Sequence, residues 1–203
     1  MRDFAKLDAK ASTPPGAAVF VGSSSIRLWE TLAADMAPVP VVQRGFGGSR
    51  LFDASYWCEQ LLAPHASPSC VVVFSGTNDI AGSRPKSAER VHELFLQLVE
   101  RIGALHPGVP ICYVAITPTG SRAAHRAIVD EANARVRATC AAAAGLEFVD
   151  PVPDLLDAQG EPDPRFFRAD RLHLNADGYA VWTAHIRPVV ERLHRRAGLG
   201  RAR

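Results

Sequence analysis

Five short apolar runs punctuate the chain, at 18–22, 40–43, 70–75, 111–116 and 146–149. They do not alternate with polar residues; the clearest, CVVVFS at 70–75, holds three consecutive valines and a phenylalanine. A strand that is apolar on both faces needs cover on both, which is the condition of a parallel sheet between two helical layers. The segments between the runs carry a helical period instead. Over 90–105, Val91, Leu94, Phe95, Leu98, Ile102 and Leu105 fall on one stripe. Residues 122–144 are alanine-rich, with Ile128, Ala132, Val136 and Cys140 four apart. Near the C-terminus Tyr179, Trp182, Ile186, Val189 and Leu193 repeat at helical spacing behind Asn175, a side chain suited to capping a first turn. Pro188 is expected to kink that helix or end it early, because proline lacks an N–H and crowds the preceding turn. Strand alternating with helix predicts an α/β sandwich. No internal repeat or low-complexity linker breaks the alternation, so one domain over 1–203 is expected, with a core at about 18–195.

Composition narrows the function classes. The chain has 203 residues, 47% of them hydrophobic and 22% charged, with a net charge of only +2. That balance carries no nucleic-acid footprint. Arg192, Arg195, Arg196, Arg201 and Arg203 gather at the C-terminal end and read as a solvated tail. No window has the apolar length of a membrane span, so membrane insertion is not expected. The opening MRDFAKLDAKASTPPG lacks the apolar core of a secretory signal, so a cytoplasmic location is expected. Cys58, Cys70, Cys112 and Cys140 show no C-x-x-C spacing and read as small core hydrophobes rather than a disulfide framework or zinc site.

In an open parallel sheet, ligands bind beyond the carboxyl ends of the strands. Four unusual segments follow predicted strands: GSSS after the first, RGFGGSR after the second, SGTNDI after the third, and the long 150–171 segment leading into DRLHLN after the fifth. They should meet at one edge. Ser24 is a candidate nucleophile, and Ser23 and Ser25 compete with it; each also suits a helix cap. His173 is the candidate base. It alone of seven histidines has an aspartate, Asp170, three positions earlier in a segment just before a helix; the other six read as helix-surface or loop residues. Asp170 could hold the imidazole tautomer and stabilise the imidazolium. Gly48 and Asn78 are candidate oxyanion donors, one through a backbone N–H unobstructed by a Cβ, the other through its carboxamide. Taken singly, each has an ordinary role: a cap, a surface ion pair, a tight turn. Together they supply every part of an acyl-transfer site.

These blocks resemble the SGNH hydrolases, the GDSL-type esterases and lipases. The first block is Gly22-Ser23-Ser24-Ser25-Ile26, the second places its glycine at Gly48, the third is Gly76-Thr77-Asn78-Asp79 and the last Asp170-Arg171-Leu172-His173. The resemblance covers about 18–190. It implies a flavodoxin-like three-layer α/β/α sandwich with a five-stranded parallel sheet in the order 2-1-3-4-5. It also implies that Ser24 attacks, His173 takes its proton and Asp170 orients His173. The oxyanion hole would comprise the N–H groups of Ser24 and Gly48 and the Asn78 side chain. The G-x-S pattern selects Ser24 among the three serines. Two positions depart from the pattern: Ser23 stands where the family usually has Asp, and Gln43 opens the second block where Asn is common.

The leading expectation is a serine esterase acting on small acyl esters, with no cofactor. A carbohydrate O-deacetylase, lysophospholipase or thioesterase would use the same machinery. A non-catalytic flavodoxin-like binding module is the reading from another class, but GFGGSR lacks the G-x-G-x-x-G spacing and a Walker lysine. A metal-dependent hydrolase would draw on Asp150, Asp154, Asp157, Asp163, Asp170 and His173; one histidine among prolines reads instead as an acidic surface loop.

Overall fold

The computed structural model of the chain describes residues 2–10 and 12–201; Arg203, part of the predicted basic tail, lies outside them. In chain order the elements are α1 (Arg2–Lys10), β1 (Ala18–Gly22), α2 (Ser24–Arg27), α3 (Leu32–Asp35), β2 (Val41–Gly45), α4 (Leu51–Tyr56), α5 (Cys58–Leu62), β3 (Cys70–Phe74), α6 (Ala88–Leu105), β4 (Ile111–Val114), α7 (Arg126–Ala142), β5 (Leu146–Val149) and α8 (Ala176–Arg201). The strands form one parallel sheet in the order β2-β1-β3-β4-β5, as the resemblance implied.

The two-residue period of each strand divides the core into two layers. Val19, Val21, Val71, Val73, Ile111 and Tyr113 face the apolar sides of α4–α7. Their neighbours Ala18, Phe20, Cys70, Val72, Phe74, Cys112 and Val114 face α2, α3 and α8. All four cysteines are unpaired and buried. On the second face, Trp29 stacks on Tyr179, and Trp182 packs edge-on against both Trp29 and Phe74. The Tyr179 hydroxyl donates to Ser25 O at 2.7 Å, fastening α8 to the start of α2.

Several elements differ from the sequence reading. β2 runs on to Gly45, past the charged Arg44, whose side chain is buried and paired with Asp8 of α1. α6 begins two residues early, where Ser87 accepts the N–H of Arg90 at 3.2 Å. The helix expected over 122–144 is a 3₁₀ turn at Gly120–His125 followed by α7, because Arg122 leaves helical geometry (φ −128°, ψ 25°). α8 does not end at Pro188. The lost bond and ring clash of an internal proline cost about 3 kcal/mol. Trp182 and Ile186 before it and Val190 and Leu193 after it are buried on the sheet, and each such burial contributes about 1.5–3 kcal/mol. Of the arginines read as a basic tail, Arg192 pairs with Glu147 of β5 and Arg195 with Glu191, both from within α8. His65, read as a helix-surface or loop residue, lies in the loop after α5 and is fully buried there, its Nδ1 2.6 Å from Thr13 Oγ1.

Candidate active site

Ser24 is set where β1 turns into α2. The turn is tight because nothing larger than glycine fits before it: a Cβ on Gly22 would lie 2.2 Å from Phe74 O. Ser23 N donates to the same carbonyl at 3.2 Å. Gly45, at the end of β2, lets α2 lie directly on its backbone; a Cβ there would come within 2.3 Å of Arg27 N. The Gln43 carboxamide donates to Ile26 O at 2.6 Å and Trp29 O at 3.0 Å. Those bonds hold the end of the short turn that Ser24 begins.

His173 arrives from the segment after β5. Asp170 folds that segment on itself: its Oδ1 accepts the N–H groups of Leu172 and His173, both at 2.9 Å, around an Arg171 with φ +53°. Its Oδ2 stands 2.7 Å from His173 Nδ1, and His173 Nε2 stands 2.9 Å from Ser24 Oγ. Desolvation pushes the Asp170 carboxyl upward, but bonds from the His173 ring and from the two N–H groups outweigh it and hold the carboxyl down at about 2. An ionised Asp170 requires the proton on Nδ1, which leaves Nε2 to accept the Ser24 hydroxyl.

Asn78 follows β3 through Gly76, whose φ of +124° and close packing on Ile116 exclude a side chain. Its Nδ2 donates to Ser49 O at 2.9 Å, and its Oδ1 accepts from Arg122 Nη2 at 2.9 Å. The adjoining Asp79 is buried, takes the Leu51 N–H at 2.9 Å and pairs with Lys86. Ser49 also sends its hydroxyl to Gly22 O at 3.1 Å, so one residue ties the three loops after β1, β2 and β3. Gly48 immediately precedes it, exposed, with φ +74°. Ser24, Asn78, His173 and Arg122 thus wall one narrow recess, with a cavity volume of about 20 Å³ and with Phe74 and Leu174 on its apolar side. Gly48 does not line that recess; it sits beside it through Ser49. A wider groove lies at the opposite edge of the sheet, by Ser69, Pro110 and Gly145.

The sequence profile of the GDSL-like Lipase/Acylhydrolase family matches residues 15–181. The chain belongs to that family. Its members hydrolyse carboxylic esters, and so does this protein. Solved structures share the fold at low identity. A protein assigned as an acylhydrolase from Bacteroides fragilis has 20% identity and a TM-score of 0.81, with 96% of this chain and 97% of that one covered. A GDSL-like lipase from Bacteroides thetaiotaomicron has 19% identity and a TM-score of 0.78, with 94% and 97% covered. Comparison with curated proteins found no match.

The two departures from the family pattern have visible settings. Ser23 is buried and makes no capping bond through its side chain, and Gln43 reaches Ile26 O of α2. The carboxylates of the 150–170 segment are spent separately: Asp150 on Arg137, Asp154 on His185, Asp163 on Arg165 and Asp170 on His173. Among the described residues no three His, Cys, Asp or Glu side chains converge as a metal site, and no helix is long and apolar enough to cross a membrane. Arg122 is the site residue that sequence reasoning passed over. Its only signal is position, a cation in the turn after β4.

Proposed function

We propose that the protein is a serine esterase for small acyl esters, built as one domain, that works through an acyl-enzyme on Ser24. The observation that carries this reading is the Ser24 Oγ–His173 Nε2 separation of 2.9 Å between residues 149 apart in the chain. Geometry of this kind meets the reach required of a nucleophile and its base. As Ser24 Oγ bonds the ester carbonyl carbon, its proton passes to His173 Nε2. The imidazolium is stabilised by Asp170 through Nδ1. The negative oxygen of the tetrahedral intermediate takes hydrogen bonds from the N–H groups of Ser24 and Gly48 and from the Asn78 carboxamide. The intermediate collapses, the C–O bond to the alcohol breaks, and His173 returns its proton to the leaving oxygen. Water then repeats the sequence against the acyl-enzyme, releasing the acid and restoring Ser24.

The recess, only about 20 Å³ in cavity volume and polar on the Asn78 and Arg122 side, favours short acyl groups over long lipid chains. The four unpaired cysteines fit a reducing compartment, the cytoplasm. The test is a series of p-nitrophenyl esters of increasing acyl length. The reading expects kcat/KM to be highest for acetate to butyrate and to fall for longer chains. Ser24→Ala and His173→Ala should each lose about 10⁴-fold. Wild-type rates in both variants would refute it; a maximum at long chains would move the protein to the lysophospholipase reading.

A further inference from the structure

We propose that Arg122 is a positioning residue for the oxyanion donor Asn78. The inference rests on the reading of Ser24 as nucleophile and adds a residue to it. A carboxamide has one acceptor oxygen and two N–H donors, and it can face either way unless its partners decide. Here they do. Asn78 Oδ1 receives Arg122 Nη2 at 2.9 Å, and Asn78 Nδ2 gives one hydrogen to Ser49 O at 2.9 Å. A flipped amide would set its NH₂ against the guanidinium and its oxygen against a carbonyl, two repulsive contacts in place of two bonds. The orientation is therefore fixed, and the second Nδ2 hydrogen is left for the recess that Asn78 shares with Ser24 and His173.

Arg122 is itself held. Its Nη1 donates to Thr77 O at 2.5 Å, so the fork grips the backbone and side chain of consecutive residues. The backbone that carries it departs from helical geometry at this position, and its N–H bonds Thr119 O at 3.0 Å. The preceding residue, Ser121, donates its N–H to Arg171 O at 3.1 Å, inside the Asp170–His173 turn. The segment after β4 thereby joins the loop of the donor to the loop of the base. A charge-assisted bond to the amide oxygen also draws electron density from the nitrogen, making Nδ2 the stronger donor to a developing oxyanion. A half-buried guanidinium suits this task better than an ammonium, because only the planar fork makes both bonds at once.

The experiment is a double-mutant cycle on the full chain with p-nitrophenyl acetate, using Arg122→Ala, Asn78→Ala and the double variant, with Ser24→Ala alongside and thermal melting of each. Asn78→Ala should lower kcat by about 10²-fold to 10³-fold. Arg122→Ala should lower kcat by about 10-fold to 100-fold with KM within about threefold of wild type, and the double variant should be within about threefold of Asn78→Ala alone. Arg122→Lys, which keeps the charge but loses the fork, should lose at least half of the Arg122→Ala effect on a logarithmic scale; it also serves if Arg122→Ala does not fold. Multiplicative losses in the double variant, or a wild-type kcat in either Arg122 variant, would overturn the positioning role. Full activity in Ser24→Ala would instead overturn the nucleophile assignment, whatever Arg122 does.

Discussion

Gln43, in the middle of β2, reaches across and donates to Ile26 O in α2 and to Trp29 O just past its end. Ser24 begins that four-residue helix, which is too short to hold itself together by its own hydrogen bonds. Gln43→Ala should therefore cost about 1–2 kcal/mol and lower kcat more than it raises KM. Gln43→Asn, one methylene shorter, should recover little of either. Urea melts and steady-state kinetics check both parts; an unchanged kcat with lowered stability would leave Gln43 a structural residue only.

Gly45 answers to the same contact from the other side. Its Cβ would lie 2.3 Å from a backbone nitrogen, which no rotamer change relieves. Gly45→Ala should push α2 off the sheet, cost at least about 1–3 kcal/mol and reduce activity. Gly48→Ala meets no atom within 4 Å but must hold φ +74°, so its penalty is the smaller backbone strain of about 1 kcal/mol. Comparing the two melting temperatures tests the distinction.

Asp170 remains ionised down to about pH 2. Since its carboxyl is depressed below the ordinary carboxylate range, the interactions that ionised Asp170 makes are fully present above that range and are lost only as pH falls toward 2. An acid limb of the pH–rate profile above pH 4 therefore cannot come from Asp170. Asp170→Asn, which leaves Nδ1 without its anionic acceptor, should lower kcat by about 10²-fold to 10⁴-fold at every pH from 5 to 9. A loss confined to low pH would contradict this role.

Burial, reinforced by Arg44 and His106 against the opposing pull of Asp8, pushes the His65 imidazole down to about 4. Between its ordinary 6.5 and that value, the unfolded chain takes up a proton that the folded chain refuses, so stability falls as pH is lowered through this window. The limiting slope from this group is about 1.4 kcal/mol per pH unit. Urea midpoints measured from pH 7.5 to pH 4.5 should show a steep loss in wild type and a shallower one in His65→Gln. Equal slopes would contradict the assignment.

The sheet was readable because its strands are apolar on both faces, as with Val71–Val73, and four of the five are followed by a segment whose composition is unusual for a mere connection. The chemistry-bearing types were readable for the same reason: Ser24, Asn78, Asp170 and His173 all follow strands. What escaped depends on reach across the chain. Arg122 meets Asn78 only because β3 and β4 are neighbours. Nothing periodic around His65, flanked by proline and alanine, announces that Thr13 bonds it or that the charges of Arg44 and Asp8 act on it. Pro188 obeyed its local preference less than the burial of Trp182 and Val190 on either side. Gly48 stands exposed beside the recess that Ser24 and Asn78 line.

Labelling with a fluorophosphonate, which reacts with an activated serine, tests the central claim most directly. The account predicts one adduct, mapped by mass spectrometry to Ser24 and lost in His173→Ala. A folded, unlabelled wild-type protein, or an adduct on Ser23 or Ser25 instead, would contradict the assignment of Ser24 as nucleophile.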